Sequence, residues 1–288
     1  MDLRLAELLS LLELERIEVN IFRGPSRDIG SPQVYGGQVL GQALQAAYAT
    51  VDEGRAVHSL HAYFLRRGDF NSPIVYFVDR SRDGHSFTSR RVTAIQHGEQ
   101  IFHCSASFQQ PEPGFEHQLA MPQVPYPEEL PASLAPDSEF LKGLSPRLRQ
   151  LVIERPIEFR VVPLSATATQ AGAPRQYLWI RTVDRLPDGE RLHHCLLAYA
   201  SDFHLLGTAL MRHEHSIAKG QLIIASIDHA MWFHRPVRMD DWLLYAADSP
   251  SASSARGFTR GSLFTRAGVL VASTAQEGLM RVVPAAAD

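Results

Sequence analysis

The hydrophobic pattern of the chain predicts two long helices. In residues 36–51 (GGQVLGQALQAAYATV), small and apolar side chains cover most of a helical circumference, which is typical of a helix enclosed by the rest of the fold. In residues 191–212 the apolar positions recur at helical spacing and form one stripe, as expected of a helix that faces a sheet. That stripe consists of Leu192, Cys195, Leu196, Tyr199, Phe203, Leu206 and Leu210. Residues 1–18 mix charged residues through a run of leucines and predict a third, amphipathic helix.

Shorter apolar segments predict β-strands before and after these helices. In the first half of the chain they cover residues 17–23, 74–78 and 101–109. In the second half they cover residues 157–162, 177–182, 242–246 and 269–277. Each half therefore contains strands, one long buried helix and further strands.

The two halves are related by an internal repeat. The segment HAYFLRR, which begins at His61, matches HAMWFHR, which begins at His229, at an offset of 168 residues. Each segment leads through a short turn into an apolar strand, then into a Ser-rich segment and two further strands. Those last strands are joined by turns at Gly98 and Gly268, which match at an offset of 170. Such self-similarity indicates a duplicated structural unit.

A helix wrapped by an antiparallel sheet and duplicated within one chain is the arrangement called a double hotdog. We therefore predict an α+β fold in which two tandem helix-wrapped antiparallel β-sheet repeats join in one continuous sheet. Residues 111–146 are rich in Pro, Glu and Ser and have the composition of a linker. The predicted organisation is an N-terminal hotdog at 1–112, a linker at 113–150 and a C-terminal hotdog at 151–288.

Composition narrows the class of function. The 288 residues carry 28 Lys and Arg against 31 Asp and Glu, a net charge of -3 without a basic block, which argues against nucleic acid as a partner. The longest apolar runs, such as residues 222–227, are far shorter than the roughly 18 residues of a membrane span, so no membrane partner is expected. Cys104 and Cys195 each stand alone, which provides no disulfide framework or CxxC metal spacing and favours a reducing, cytoplasmic location.

Several long motifs resemble one enzyme family. The motifs are VYGGQVLGQAL, VHSLHAYFLRRGD, SRDGHSF, FEHQ, YASDF, IDHAMWFHRP, SASSARGF and STAQEG. The similarity extends in order from about residue 5 to residue 281 and resembles the bacterial acyl-CoA thioesterase II family, whose members also occur in peroxisomes. The resemblance implies the double hotdog fold, an acyl-CoA substrate hydrolysed to free fatty acid and CoA, and no metal or redox cofactor.

Asp202 is the leading candidate for the chemistry. Thioester hydrolysis needs a water that is deprotonated beside the carbonyl carbon, and hydrogen-bond donors for the developing oxyanion. Asp202 falls at the edge of the apolar stripe of the second long helix, where burial would raise its pKa above about 3.9. Periodicity alone favours a solvated acid or one paired with arginine. The resemblance implies instead that Asp202, the Asp of YASDF, activates the water.

Gln276 and Ser226 complete the candidate catalytic group. The strand at 269–277 has an apolar inward face that ends in Gln276. In the first half, the position equivalent to Gln276 is Phe108 at an offset of 168 or Ala106 at an offset of 170, and both are apolar. An amide that caps a buried backbone group is the alternative for Gln276. The resemblance implies that Gln276 orients the water and that Ser226 assists. Many relatives have Thr at this position, and a hydroxyl bonded to the adjacent strand is the alternative for Ser226.

Three further residues are candidates for substrate binding. The offset of 168 places His58 over Ser226, where a histidine could serve as a base, although a buried His bonded to the backbone is the plainer alternative. Gly36 and Gly37 open the first long helix, whose amides could polarise a carbonyl or hold a phosphate, with close helix packing as the alternative. The candidates for the phosphates of CoA are Arg66, Arg67, Arg90, Arg91, Arg235, Arg256 and Arg260.

Two further histidine motifs do not predict sites. His213, Glu214 and His215 are too close together for the HExxH zinc arrangement, so no metal is expected. Asp228 and His229 are neighbours on a strand and should point to opposite faces, which excludes a direct dyad and leaves Asp228 structural.

Two other functions remain open at this point. One is a hotdog hydratase or dehydratase acting on acyl thioesters, for which His58 and Asp202 are the pair that the sequence offers. The other is an acyl-CoA-binding protein without turnover. In each case the exposed edges of hotdog sheets predict a homo-oligomer, either a dimer or a tetramer.

Overall fold

The computed structural model describes residues 1–131, 146–163, 174–213 and 220–284. The strands are β1 (Glu15–Glu18), β2 (Ile21–Gly24), β3 (Ala56–Phe64), β4 (Ile74–Asp83), β5 (Phe87–Gln96), β6 (Glu99–Gln109), β7 (Ile157–Val161), β8 (Arg175–Thr182), β9 (Gly220–Ser226), β10 (Asp228–Phe233), β11 (Leu243–Ser253), β12 (Arg256–Thr265) and β13 (Leu270–Pro284). The helices are α1 (Leu3–Leu12), α2 (Gly36–Tyr48), α3 (Pro146–Ile153), α4 (Glu190–Ser201) and α5 (Leu205–Leu210). In this part of the chain no helix has the length and apolar character needed to cross a membrane.

One sheet runs through both halves of the chain. Its strand order is β1-β2-β4-β5-β6-β3-β10-β13-β12-β11-β8-β7, with β9 paired to β13. β3 of the first half and β10 of the second meet at the centre as antiparallel neighbours, where His61 pairs with Ala230. The predicted double hotdog with a continuous sheet is therefore confirmed.

The two long helices lie antiparallel against each other inside the sheet. A Cβ atom added to Gly37 would lie 2.2 Å from the Tyr199 carbonyl oxygen, and one added to Gly41 would lie 3.0 Å from that of Cys195. Glycine is required here because no side chain fits between the two backbones. The Tyr35 hydroxyl also donates a 3.0 Å hydrogen bond to the Tyr199 carbonyl oxygen. These contacts fix the start of α2 against the end of α4.

The predicted offset of 168 between the central strands is wrong by one residue. His61 is exposed on the outer face, whereas His229 points into the core and is 1% exposed. Ser105 and Ala275 are equivalent at the offset of 170 that also relates the turns at Gly98 and Gly268. Ser105 pairs with His61 and Ala275 pairs with Ala230, so Ala230 is the counterpart of His61. A shift of one residue moves every side chain of a strand to the other face, and letter similarity alone does not detect it.

A β-bulge marks the same place in both halves. It lies at His58 in β3 and at Ile227 between β9 and β10. Val57 precedes the first bulge and Ser226 precedes the second. Val57 is therefore the structural counterpart of Ser226, and the predicted pairing of His58 with Ser226 is wrong. An inserted bulge residue displaces the register without a gap in the sequence.

The helix predicted over residues 191–212 is in fact two helices. α4 ends at Ser201 and α5 begins at Leu205, and between them His204 has a left-handed backbone with φ of 62°. The apolar spacing continues across this turn, which is why periodicity alone predicted one helix. Asp202 consequently follows a helix end and does not lie along a helix face.

The N-terminal prediction was also too long. α1 ends at Leu12, and Glu15–Glu18 forms β1, which pairs with β2 as a hairpin instead of the single strand expected over residues 17–23. The turns predicted at Gly98 and Gly268 are confirmed, with φ of 80° and 83°. Glycine adopts this left-handed conformation without steric cost.

The described part of the predicted linker, residues 113–131 and 146–150, is not a solvated tether throughout. Met121 and Val124 pack with the fully buried Trp179 in an apolar cluster on the outer side of the second half. The Trp179 indole Nε1 donates a 2.9 Å hydrogen bond to the Pro125 carbonyl oxygen. A Pro-rich segment without its own strands can thus still cover a sheet face.

Candidate active site

Three side chains distant in sequence meet between the two halves. Gln276 Nε2 lies 2.8 Å from Asp202 Oδ1 and 3.0 Å from Ser226 Oγ, and it donates a hydrogen bond to each. The three predicted catalytic residues are therefore in direct contact. Asp202 follows α4, Ser226 ends β9 and Gln276 lies on β13, so sheet pairing and helix packing together assemble the group.

Asp202 lies against the first turn of α2. A Cβ atom added to Gly36 would be 2.7 Å from Asp202 Oδ2, and the Gly37 N–H donates a hydrogen bond to the carboxylate. Burial raises the pKa of Asp202, and hydrogen bonds from Gln276, Gly37 and Ser226 oppose that rise. The result is a carboxylate that is held in place and is more basic than an exposed one.

Gln276 is completely buried and points inward from β13. Its Nε2 atom donates one hydrogen to Asp202 and the other to Ser226. Within the described residues, its buried Oε1 atom has no hydrogen-bond partner. The register places Ala106 at the equivalent position of the first half. An unpaired buried acceptor is costly, so this oxygen is suited to receive a hydrogen bond from a small bound molecule.

Ser226 is oriented by the same contacts. Its Oγ atom accepts from Gln276, so its own hydrogen is free to bond the Asp202 carboxylate. Beside it lies a cavity of about 220 Å³ between the start of α2 and the end of β3. The walls of this cavity include Gly36, Val39, Phe64, Arg66, Arg67 and Ser226.

Comparison with known proteins decides the family. The sequence model described as "Acyl-CoA thioesterase" matches residues 149–279, and that of the "Acyl-CoA thioesterase N-terminal domain" matches residues 22–109. Acyl-CoA thioesterase 2 from Haemophilus influenzae is 43% identical over 279 residues, which cover 96% of this chain and 98% of that protein. The chain belongs to the acyl-CoA thioesterase family.

Other family members extend the similarity. Human acyl-coenzyme A thioesterase 8 is 41% identical over 295 residues, covering 98% of this chain and 91% of that protein. The crystal structure of an acyl-CoA thioesterase II, TesB2, from Mycobacterium marinum superposes with a TM-score of 0.82 at 45% identity, covering 95% of this chain and 98% of that one. A hot dog protein from Alicyclobacillus acidocaldarius, at 20% identity, has a TM-score of 0.76 and so shares the fold.

His58 lies far from the contact among Asp202, Ser226 and Gln276. It lies about 20 Å along β3 from Phe64, which lines the cavity beside Ser226. His58 Nε2 is 2.8 Å from Ser107 Oγ, and burial together with nearby His61 lowers its pKa. His58 faces a different cavity, related to the first by the internal repeat.

Sequence reasoning missed side chains that pack next to the candidate active site. Ser201 Oγ donates to the Ala198 carbonyl oxygen at 2.9 Å and lies 3.0 Å from His229 Nε2, from which it accepts. The Tyr245 hydroxyl donates a 2.9 Å hydrogen bond to the Ser201 carbonyl oxygen. The available signal was the position of Ser201 directly before Asp202 in the motif YASDF.

The remaining histidine motifs do not contribute to this site. Asp228 Oδ1 accepts a 2.8 Å hydrogen bond from the Glu277 N–H, whereas His229 points inward, so the two form no dyad. Among the residues that the structure describes, no three His, Cys, Asp or Glu side chains are grouped to hold a metal ion. Glu214 and His215 lie outside the described residues.

Proposed function

We propose that this protein hydrolyses fatty acyl-CoA thioesters to free fatty acid and CoA. In this proposal Asp202 is the general base, and Gln276 and Ser226 position the attacking water. Membership of the acyl-CoA thioesterase family supports the substrate class. The contact of Gln276 with both Asp202 and Ser226 is the observation that carries the assignment of the residues.

The proposed reaction uses no covalent intermediate. The water donates one hydrogen bond to Gln276 Oε1 and transfers its other proton to Asp202 as its oxygen attacks the thioester carbon. The tetrahedral intermediate then collapses and its C–S bond breaks. Asp202 returns the proton to the leaving CoA thiolate, which gives free acid and CoA thiol and restores the carboxylate. The raised pKa of Asp202 favours proton uptake from the water, and the thiolate, which is the stronger base, then takes the proton back.

The start of α2 is the proposed electrostatic element. Its first amides form the positive end of a helix, and Gly37 already bonds Asp202. We assign the neighbouring Gly36 N–H to the carbonyl oxygen that becomes the oxyanion, because glycine leaves room for the substrate beside Asp202 Oδ2.

Release of free thiol from octanoyl-CoA tests the activity. A hydrolase releases one CoA thiol per fatty acid formed. A hydratase adds water to 2-octenoyl-CoA, or a dehydratase removes it from 3-hydroxyoctanoyl-CoA, and each leaves the thioester intact. A binding protein leaves all of these thioesters unchanged. Mass spectrometry of the acyl products beside the thiol assay therefore separates the three functions, and absence of thiol release would reject hydrolysis.

We also propose the division into hotdog 1–112, linker 113–150 and hotdog 151–288, a cytoplasmic location and assembly into a homo-oligomer. The central β3–β10 pairing supports two joined halves. The buried, unbridged Cys104 and Cys195 support a reducing compartment. The terminal strands β1 and β7 support assembly, because an uncovered sheet edge can pair with a second copy. Light scattering on the purified chain tests the oligomer.

A further inference from the structure

Two arginines extend from the strand that borders the candidate active site. The Phe64 N–H bonds the Ile227 carbonyl oxygen, which places the end of β3 next to Ser226. Arg66 and Arg67 follow within three residues and line the same cavity as Ser226. Their positions put two positive charges at the outer side of that cavity, beyond the proposed reaction centre.

The two arginines differ in how they are held. Arg66 Nη1 donates a 2.8 Å hydrogen bond to the Gln100 carbonyl oxygen, and its Nη2 pairs with Glu99 at 3.0 Å. Both partners of this ion pair are more than half exposed, so exchanging Glu99 for another anion costs little. Arg67 is exposed, and no carboxylate of the described residues pairs with its guanidinium. Arg67 is thus available to an external anion.

The internal repeat provides a control inside the same molecule. A second cavity, of about 270 Å³, is lined by residues equivalent to those of the first, including Val57 in the position of Ser226. There Arg235 Nη1 donates a 3.0 Å hydrogen bond to the Leu270 carbonyl oxygen, as Arg66 does to Gln100.

The charge of the two cavities is opposite. In the second cavity Pro236 takes the place of Arg67, and Glu190 begins α4 where Gly36 begins α2. Glu112 adds a second acid. Among the residues that the structure describes, the lining of the first cavity therefore contains two arginines and no acid, whereas that of the second contains one arginine and two glutamates. A substrate with several phosphate charges is attracted to the first and repelled by the second.

We propose that Arg66 and Arg67 bind the phosphate groups of the CoA moiety and that this charge directs acyl-CoA to one of the two related cavities. The inference rests on the proposed thioesterase function. Guanidinium groups suit the task because they offer paired N–H donors to phosphate oxygens and stay ionised. Arg67 is the main contact, since no carboxylate among the described residues competes for it, and Arg66 is the second contact.

Arg67→Glu tests the proposal with two substrates that carry the same acyl group. Octanoyl-CoA contains the phosphates, whereas octanoyl-N-acetylcysteamine lacks them but presents the same thioester. We expect Arg67→Glu to lower kcat/KM for octanoyl-CoA about 10-fold or more, through KM, because hydrogen bonds to charged groups are strong. The kcat/KM for octanoyl-N-acetylcysteamine should not change. Arg67→Lys should retain an intermediate value, because it keeps the charge and loses the paired donors.

Arg16→Glu is the matched control. Arg16 is exposed on β1, at the end of the sheet and several strands away from β3, and the charge change is identical. This variant should leave both substrates unaffected. Equal losses for both substrates in Arg67→Glu, or no loss for either, would overturn the proposal.

Calorimetry with CoA itself measures the affinity of the phosphate site without any turnover, so it tests the arginine contacts independently of hydrolysis. Arg67→Glu should weaken CoA binding about 10-fold or more, and Arg16→Glu should not. Wild-type protein that binds CoA in this Arg67-dependent way but releases no thiol would reject the proposed hydrolysis and retain the phosphate site. Unchanged CoA affinity in Arg67→Glu, with normal thiol release in wild type, would reject the phosphate site and retain hydrolysis.

Discussion

Ser226 and Val57 occupy equivalent positions in the two halves, each directly before the bulge of a central strand. The hydroxyl is present in the second half and absent from the first. The same difference separates Gln276 from Ala106 on the neighbouring strands. The duplicated fold therefore offers two related cavities, and the polar group contributed by Asp202, Ser226 and Gln276 lies beside one of them.

Asp202→Asn should abolish most of the activity. The change keeps the shape of the side chain and removes the base, so we expect kcat to fall about 10² to 10⁴-fold. Thiol release at saturating octanoyl-CoA measures it. Asp228→Asn is the control, because burial also raises the pKa of Asp228 but its carboxylate accepts from the Glu277 backbone. A folded Asp202→Asn variant with full activity would rule out the proposed base.

The pH dependence of kcat should report the raised pKa of Asp202. The base works when ionised, so kcat should fall with decreasing pH around a pKa above the usual value of about 3.9. Because its pKa is raised, Asp202 binds a proton more tightly in the folded protein than in the unfolded chain. The stabilising contribution of protonated Asp202 is thus present at low pH and is lost as pH rises through the folded pKa. At neutral pH, Asp202→Asn should therefore melt no lower than wild type.

Gln276→Ala should lower kcat without unfolding the protein. It removes both hydrogen bonds of Nε2 and the free Oε1 acceptor, and loss of a preoriented group of this kind costs about 10² to 10³-fold. Alanine already occupies the equivalent position in the first half, at Ala106, where the sheet is well formed. Thermal melting verifies the fold. The reverse change, Ala106→Gln, should add no activity, since the residue directly after α2 is Ala49, whereas the residue directly after α4 is Asp202.

Activity should depend on the hydroxyl group of Ser226 but not on the exact size of this side chain. Ser226→Thr keeps the donor and acceptor and adds a methyl group that restricts the rotamer, so we expect activity to be kept or raised. Ser226→Val copies Val57 of the first half and should lower kcat/KM about 10-fold or more, since it leaves a donor hydrogen of Gln276 unpaired. Comparable activity of the Thr and Val variants would contradict a role for the hydroxyl.

Buried histidines should make the fold sensitive to acid. Burial lowers the pKa of His229 to about 4 and, with help from His193, lowers that of His194 to about 4. Their unfolded forms titrate near 6.5, so their contribution to stability is present above about pH 6.5 and is lost as pH falls towards 4. Denaturant titrations between pH 7 and 4 measure the slope. His229→Gln should flatten it, whereas a change at the exposed His85 should not.

The sequence by itself predicted the repeating elements of this protein. Burial of a helix or strand imposes a spacing of apolar residues that can be recognised locally, and this was sufficient for α2, for most strands and for the turns at Gly98 and Gly268. The duplication and the family motifs then indicated the double hotdog and the acyl-CoA thioesterase family, which the comparisons confirm.

Tertiary structure decided the register and the site. The equivalence of Val57 with Ser226 depends on a bulge, and the end of α4 before Asp202 depends on a left-handed residue at His204. Neither changes the apolar spacing, so neither is visible in the pattern. The contact among Asp202, Ser226 and Gln276 arises from strand pairing and helix packing across more than 70 residues, and such contacts are set by the shape of the whole core.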